Sequence, residues 1–216
     1  MVNLTRIYTR TGDDGRTHLG DMSRTSKTDV RLLAYADVNE ANAAIGVALA
    51  AGDLPQDLRT TLLRVQNDLF DVGADLCTPL QESYEYPPLR VEAAWIDELE
   101  ADCDRYLERV EKLRSFILPG GTVGSAHLHV ATTVVRRAER QAWSAIETYG
   151  DQPGSAKGEG GVNPLTAKYL NRLSDLLFVL ARVANLPIGG DVLWQPGGGR
   201  AEGPPARDGR PGGAAG

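Results

Sequence analysis

Apolar residues recur every three or four positions in five separate stretches of the chain. The stretches cover residues 29–51, 56–77, 90–113, 125–149 and 164–185. The second shows the pattern most regularly, with apolar side chains at Leu58, Leu62, Val65, Leu69, Val72 and Leu76. Such spacing places one apolar seam along a helix, whereas the alternation of a β-strand is almost absent. The sequence therefore predicts an all-α fold, an antiparallel five-helix bundle with helix crossings of about +20°.

The two ends of the chain depart from this pattern. Residues 1–28 are polar and rich in turn formers, and we expect them to form an ordered N-terminal loop segment. The last 22 residues, 195–216, hold 8 of the 24 glycines and 4 of the 12 prolines. A segment of this composition cannot bury enough apolar surface to fold. We predict one domain over residues 1–194 and a disordered tail over residues 195–216.

Composition and charge exclude several classes of protein. Of the 216 residues, 42% are hydrophobic and 24% are charged, which is ordinary for a globular protein. The net charge of −6 shows no overall basic surface of the kind that binds nucleic acid. Two cysteines, Cys77 and Cys103, are too few for a disulfide scaffold or a cysteine-based zinc site. No apolar run reaches the roughly 18 residues that span a membrane, and no secretory signal opens the chain. We therefore expect a cytoplasmic protein that binds neither nucleic acid nor membrane.

The first candidate binding segment is residues 8–17, YTRTGDDGRT. Glycine and aspartate tolerate positive φ, so that successive N–H groups can point into one concavity and hold an anion. The threonine hydroxyls and the ammonium group of Lys27 would add donors. The segment is not a Walker A loop, because no Gly-Lys-Ser/Thr follows it. From these residues alone, an anion site and a solvent-exposed hairpin turn both stay open.

The fourth and fifth stretches carry polar side chains at helical spacing. Arg136, Glu139 and Arg140 share one helix face, which could neutralise a polyphosphate. The alternative is a solvated helix surface. Asn171 and Asp175 lie one turn apart, and Asn171 could read a nucleobase or a ribose; the alternative is a polar stripe between helices.

An apolar loop, FILPGG at residues 116–121, precedes the fourth stretch. It indicates either contact with a flat organic ligand or a tight connection between helices. His127 and His129 are two positions apart and do not share a helix face, so we interpret them as structural residues rather than a metal pair.

Four motifs stand in order along the predicted bundle: YTRTGDDGRTHLGDMSRTSKTD, FILPGGTVGSAHLH, RRAER and YLNRLSDLLFVLAR. Together, over roughly residues 6–194, they resemble the PduO-type ATP:cob(I)alamin adenosyltransferases. The resemblance implies an enzyme that transfers the 5′-deoxyadenosyl group of ATP to the cobalt of cob(I)alamin and releases triphosphate. A catalytically weak relative that binds ATP or adenosylcobalamin as a carrier or sensor is the alternative.

The resemblance also implies cofactors and partners. It implies Mg²⁺ acting with the substrates ATP and cobalamin, and a homotrimer with active sites between subunits. A flavin-type reductase would supply electrons, and an adenosylcobalamin-dependent mutase would receive the product.

Individual residues take roles from the same resemblance. Phe116 would lie beneath the corrin and exclude the lower axial ligand. Arg136 would contact the polyphosphate with support from Glu139, which makes these three the candidate catalytic residues. No motif identifies metal ligands. The candidate ATP-binding residues are Thr9, Arg10, Thr11, Gly12, Thr17, His18, Lys27, Arg136, Arg137, Glu139, Arg140 and Asn171.

Two positions depart from the family pattern. The family usually has an aspartate where this chain has Asn39 and an arginine where it has Thr132, and in the family these two form an ion pair between subunits near the active site. Both partners are neutral here, which avoids the cost of a single stranded charge. We hypothesise that Asn39 and Thr132 face each other across a subunit boundary. The departure leaves catalytic rate and corrinoid affinity open.

Overall fold

The computed structural model describes residue 8 and residues 10–198, which form a helical bundle with a small β-hairpin. The hairpin pairs β1 with β2 in antiparallel fashion, and a short 3₁₀ turn at Leu186–Ile188 follows the last helix. In chain order the elements are β1 (Arg16–His18), β2 (Arg24–Ser26), α1 (Val30–Ala51), α2 (Gln56–Leu76), α3 (Ala93–Leu107), α4 (Val123–Tyr149) and α5 (Pro164–Ala184).

Polar caps fix where three of the helices begin. The carboxylate of Asp29 accepts a hydrogen bond from the Arg31 N–H at 2.8 Å at the start of α1. Thr122 caps α4 and Asn163 caps α5 in the same way, each through a side-chain oxygen. These caps satisfy N–H groups that have no partner within the helix. The starts of α1 and α5 thus agree with the sequence expectation to within one residue.

Helix α4 lies at the centre of the bundle, with α1 packed along one side and α5 along the other. Helix α2 packs on α1, and α3 packs on α5. The chain directions alternate between α1 and α4, because Gly52 at the end of α1 lies against Gly124 at the start of α4. All six apolar residues of the α2 seam are fully buried, as the spacing predicts. The predicted five-helix bundle is confirmed.

The third helix is shorter than its apolar pattern indicates, since α3 covers Ala93–Leu107 rather than residues 90–113. Before the helix, the buried carboxylate of Asp75 accepts a hydrogen bond from the Val91 N–H and holds that part of the chain outside the helix. After the helix, the guanidinium group of Arg182 donates to the Glu111 carbonyl at 2.7 Å. Tertiary hydrogen bonds therefore override the local pattern at both ends.

Most of the predicted C-terminal tail, residues 199–216, lies outside the described residues. The disordered tail and the domain boundary at residue 194 therefore stay predictions. Among the helices of residues 10–198, none combines the length and apolar character that a bilayer-spanning segment needs.

Candidate functional site

The N-terminal segment folds into a turn that brings Gly12 against Lys27. A Cβ atom at Gly12 would lie 2.9 Å from the Lys27 Nζ, so a side chain at this position would require the lysine ammonium group to move. The Lys27 N–H donates to the Gly15 carbonyl at 2.9 Å, which fixes the start of the turn against β2. Arg10 has φ of 63°, the left-handed region that a side chain rarely adopts. A glycine-rich turn holding one ammonium group is a geometry suited to an anion.

The other candidates of this segment lie around the turn. Thr11 and His18 are exposed, and Thr17 is half-buried opposite Thr25 in the hairpin. Thr9 lies outside the described residues.

Two aspartates attach this segment to the far end of α4 and the loop that follows. Asp29 accepts hydrogen bonds from the Tyr149 hydroxyl at 2.7 Å and the Thr25 hydroxyl at 2.5 Å. Burial acts to raise the pKa of Asp29, but the hydrogen bonds from Thr25, Tyr149 and the Arg31 N–H outweigh it, so the pKa is lowered. Asp21 accepts from the Gly158 N–H at 2.7 Å. Both carboxylates are therefore engaged in holding the segment in place.

A second group of candidates lies on the edge where α4 meets α5. The Asn171 amide donates to the Glu139 carboxylate at 3.1 Å. One turn earlier on α4, the Arg136 Nε donates to the Ser174 hydroxyl at 3.4 Å. Arg140 is exposed beside them. Arg136 and Glu139 thus share one edge of α4, as the helical spacing predicts, and the structure adds Asn171 of α5 to them.

Arg137 points away from this group, toward α1. It forms an ion pair with Asp37 at 3.2 Å and a second with Glu40. Both carboxylates belong to α1, on the opposite side of α4 from α5. The structure therefore places Arg137 in a helix–helix contact within one chain, although the family motif groups it with the ATP-binding residues.

The arginines of the α4–α5 edge differ in pairing from many others in the protein. Carboxylates lie within ion-pair distance of eight arginines, namely Arg24, Arg64, Arg90, Arg105, Arg109, Arg137, Arg172 and Arg182. Within the described part of the chain, Arg136 and Arg140 have no such carboxylate. Because Glu139 is the one carboxylate in this group and pairs with neither arginine, the edge carries a net positive charge that suits an anionic ligand.

The two groups of candidates are separated within one chain. The N-terminal segment is attached at Tyr149, ten residues beyond Glu139 on α4. At 1.5 Å per helical residue, this attachment lies roughly 15 Å along the helix from Glu139. Within one chain, the attachment of the N-terminal segment and the Glu139 group therefore lie apart along α4.

The apolar loop before α4 forms a short β ribbon with the segment that follows α5. The Trp194 N–H donates to the Phe116 carbonyl, and the Leu118 N–H donates to the Val192 carbonyl, both at 2.8 Å. The Phe116 and Trp194 rings meet edge to face with centroids 6.0 Å apart, although Phe116 is 78% exposed. Sequence reasoning missed Trp194, whose only signal was an aromatic residue directly before the glycine-rich tail. An exposed aromatic pair offers a platform for a flat ligand.

Other candidates from the sequence take structural positions. His129 is buried against the Phe178 ring, and burial lowers its pKa. Thr132 is 4% exposed and donates to the Leu128 carbonyl, so its hydroxyl is bonded within its own helix. This placement differs from the hypothesis that Thr132 faces Asn39 across a subunit boundary. Among the described residues, no group of three or more histidine, cysteine or acidic side chains could hold a metal ion.

Comparison with known proteins matches residues 7–184 to the family model described as cobalamin adenosyltransferase. The corrinoid adenosyltransferase of Mycobacterium tuberculosis (strain ATCC 25618 / H37Rv) is 59% identical over 199 residues, covering 92% of this chain and 97% of that protein. The cobalamin adenosyltransferase of Cupriavidus metallidurans is 45% identical over 193 residues, covering 89% and 95%.

A solved structure agrees with these relatives. It is a phenylalanine-to-alanine variant of the PduO-type ATP:corrinoid adenosyltransferase from Lactobacillus reuteri, complexed with cobalamin and ATP. It matches with a TM-score of 0.77 and 33% identity, covering 88% of this chain and 99% of that one. The chain therefore belongs to the cobalamin adenosyltransferase family.

Proposed function

We propose that this protein transfers the 5′-deoxyadenosyl group of ATP to the cobalt of cob(I)alamin, giving adenosylcobalamin and triphosphate. The observation that carries the proposal is the α4–α5 edge, where Arg136 and Arg140 lack carboxylate partners beside the Glu139–Asn171 pair. Cations left free of counter-charge are available to a triphosphate. The family membership and the ATP and cobalamin complex of the Lactobacillus reuteri relative support the same assignment.

The reaction needs no general base. Cobalt(I) supplies the electron pair that forms the bond to C5′ of the ribose, and cobalt becomes formally cobalt(III). The bond between C5′ and its oxygen breaks, and triphosphate leaves with that electron pair. Negative charge therefore develops on the leaving oxygen, where Arg136 and Arg140 would act by electrostatic stabilisation. Glu139 would hold the Asn171 amide in position for the nucleoside.

The aromatic ribbon would serve the corrinoid. A bulky apolar side chain at Phe116 can occupy the lower axial side of cobalt and keep other ligands away. Trp194 packs against Phe116 and limits the positions its ring can adopt. Loss of the lower ligand lowers the energy of the cobalt orbital that must accept an electron. Reduction of cobalt(II) to cobalt(I) therefore becomes easier. A one-electron donor is required for that step, and we propose a flavin-type reductase.

The assembly we propose is a homotrimer with active sites between subunits. The separation of roughly 15 Å along α4 between the N-terminal attachment and Glu139 supports this arrangement. A second copy can bring its Gly12–Lys27 turn to the α4–α5 edge of the first. In that arrangement the shared site would be lined by Thr9, Arg10, Thr11, Thr17 and His18.

Magnesium fits this site as part of the nucleotide substrate. No acidic cluster in residues 10–198 offers a resident metal site, and Mg²⁺ is commonly held by one or two carboxylates together with substrate phosphates. We propose that Mg²⁺ enters with ATP and neutralises phosphate oxygens next to Arg136. We propose that the reaction takes place in the cytoplasm and that an adenosylcobalamin-dependent mutase there receives the product.

A carrier or sensor role is the second candidate, and one observation favours it. The family's charged pair is replaced by Asn39 and Thr132, and the Thr132 hydroxyl is bonded within its own helix. Such a protein would bind ATP or adenosylcobalamin with slow turnover.

The absorbance spectrum of cob(I)alamin distinguishes the two roles. Under anaerobic reducing conditions with Mg-ATP, we expect conversion to the adenosylcobalamin spectrum, dependent on ATP and strongly slowed in Arg136→Ala. Lys157→Ala, which removes an exposed cation from the loop after α4, is the matched control and should behave as wild type. ATP binding without conversion would favour the carrier or sensor role.

A further inference from the structure

A cavity of about 860 Å³ lies behind the ribbon that carries Phe116. It is open to solvent on one side, and the segment after α3, Arg182 of α5 and the chain from Leu186 to Leu193 line it. Its volume falls within the range of roughly 300–1,000 Å³ that is typical of small-molecule sites. The residues we assign to ATP do not line it, and it is a separate candidate site.

Apolar side chains form much of the cavity wall. Leu113, Leu186 and Leu193 are exposed in the described structure, and Val110 is half-buried beside them. Leucine side chains lining a concave surface gain free energy when an apolar group covers them. The wall is therefore suited to a flat apolar ring system.

Charged groups at the cavity provide a second recognition element. Lys112 and Arg114 line it, and neither has an ion-pair partner among residues 10–198. Glu111 contributes the single unpaired carboxylate of the lining. Arg182 is paired with Asp191 at 2.8 Å and is neutralised there. The unpaired groups thus sum to one positive charge, which matches an anion with a single negative charge.

The ribbon relates this cavity to Phe116. Ile117 and Leu193 are bridged across the ribbon, between the Phe116–Trp194 and Leu118–Val192 hydrogen bonds. Side chains alternate between the two faces of a β strand. Phe116 and Trp194 therefore lie on one face, while Leu193 on the other face forms part of the cavity wall. A group displaced by Phe116 needs only to pass the edge of a two-stranded ribbon to reach the cavity.

We propose that this cavity binds the displaced lower-ligand tail of cobalamin. That tail consists of a dimethylbenzimidazole ring, a ribose and a phosphodiester with one negative charge, and it is covalently attached to the corrin. When Phe116 excludes the ring from cobalt, the tether keeps it close to the ribbon. The ring then packs among Leu113, Leu186 and Leu193, and the phosphodiester lies at Lys112 and Arg114. This assignment rests on the proposed function, because it requires the corrin to sit over Phe116.

The test compares two corrinoids in two proteins. Cobinamide has the same corrin ring but lacks the phosphodiester, ribose and base. With saturating ATP, the affinities of the cobalt(II) forms of cobalamin and cobinamide are measured by absorbance titration for wild type and for the double variant Lys112→Ala/Arg114→Ala. We expect the double variant to bind cobalamin about tenfold more weakly and cobinamide within twofold of wild type, since charge-assisted hydrogen bonds to the phosphodiester are lost.

Two further variants sharpen the result. Leu186→Asn tests the apolar wall of the cavity. It should lower the affinity for cobalamin several-fold and leave the affinity for cobinamide unchanged. Lys157→Ala, on the loop at the other end of α4, should change neither affinity. The proposed binding of the tail would be overturned if the variants lost affinity equally for both corrinoids. It would also be overturned if the double variant and Leu186→Asn both kept the wild-type affinity for cobalamin. Failure of wild type to bind either corrinoid would instead refute the proposed function, and the tail assignment with it.

Discussion

Arg136 and Arg137 are neighbours on α4, yet they lie in opposite environments. Arg137 faces α1 and is paired with Asp37 and Glu40, whereas Arg136 faces α5 and meets the Ser174 hydroxyl at 3.4 Å. The residue type is identical, and the difference comes from which neighbouring helix supplies carboxylates. A paired arginine supports helix packing, and an unpaired one is available to an anionic substrate. This difference in pairing is the basis on which we propose a structural role for Arg137 and a substrate-binding role for Arg136.

The largest effect should follow from removing both unpaired arginines. Arg136→Ala/Arg140→Ala should lower kcat/KM for ATP by about a thousandfold, because each charge-assisted contact to a phosphate contributes roughly 1.5–3 kcal/mol. The free energy of unfolding should stay close to wild type, since neither side chain has an ionic partner in the described structure. Steady-state adenosylation and a denaturant titration check the two halves of this prediction. A loss of activity no larger than that of Arg137→Ala would contradict it.

An intermediate effect is expected at the pair that links α4 to α5. Glu139→Ala removes the acceptor for the Asn171 amide, which would then lose its fixed orientation. We expect KM for ATP to rise about tenfold, a cost of roughly 1.4 kcal/mol. Glu139→Gln keeps an oxygen acceptor and is the matched variant; it should recover most of the affinity. An equal loss in both variants would show that the charge of Glu139, rather than its hold on Asn171, matters.

A smaller effect should come from the paired arginine. Arg137→Ala breaks an exposed ion pair with Glu40 and a partly buried one with Asp37. Exposed pairs are typically worth about 0.2–1 kcal/mol. We expect the thermal midpoint to fall and the turnover rate to stay within twofold of wild type. Differential scanning fluorimetry measures the midpoint, and the adenosylation assay measures the turnover rate. A loss of ATP affinity without a change in the thermal midpoint would contradict this prediction and would indicate that Arg137 binds ATP.

The smallest effect concerns the attachment of the N-terminal segment. Hydrogen bonds from Thr25, Tyr149 and the Arg31 N–H lower the pKa of Asp29 in the folded state despite its burial. Its contribution to stability should therefore be present above its ordinary unfolded pKa of about 4 and be lost as the pH falls through the lower folded value. Asp29→Asn should be less stable than wild type at pH 7, and the difference should shrink below pH 4. Asp13→Asn, on the exposed turn, is the control; a difference that persists at low pH would contradict this account.

Much of the fold could be predicted because helical periodicity is a local signal. The α2 seam from Leu58 to Leu76 is buried as its spacing indicates. The end of α3 could not be predicted, because Val110 and Leu113 continue the periodic pattern while Arg182, more than 70 residues away, holds the Glu111 carbonyl outside the helix. The strands of the hairpin have three residues each and are too short to show alternation.

The candidate site was predictable only in part. Spacing predicted that Arg136 and Glu139 share a face, and the structure adds Asn171 from α5 to them. Spacing could not predict the partners of Arg137, because Asp37 and Glu40 lie about 100 residues earlier in the chain. Trp194 was missed for a similar reason, since its role depends on ribbon pairing with Phe116.

The most direct test of the difference between the two arginines is a side-by-side titration of ATP by calorimetry. Wild type, Arg136→Ala and Arg137→Ala are compared, with the thermal midpoint of each measured in the absence of nucleotide. Arg136→Ala should weaken ATP binding at least tenfold with an unchanged midpoint, since a contact to a phosphate is lost. Arg137→Ala should leave the affinity unchanged and lower the midpoint. The reverse pattern, or equal weakening of ATP binding in both variants, would contradict the account.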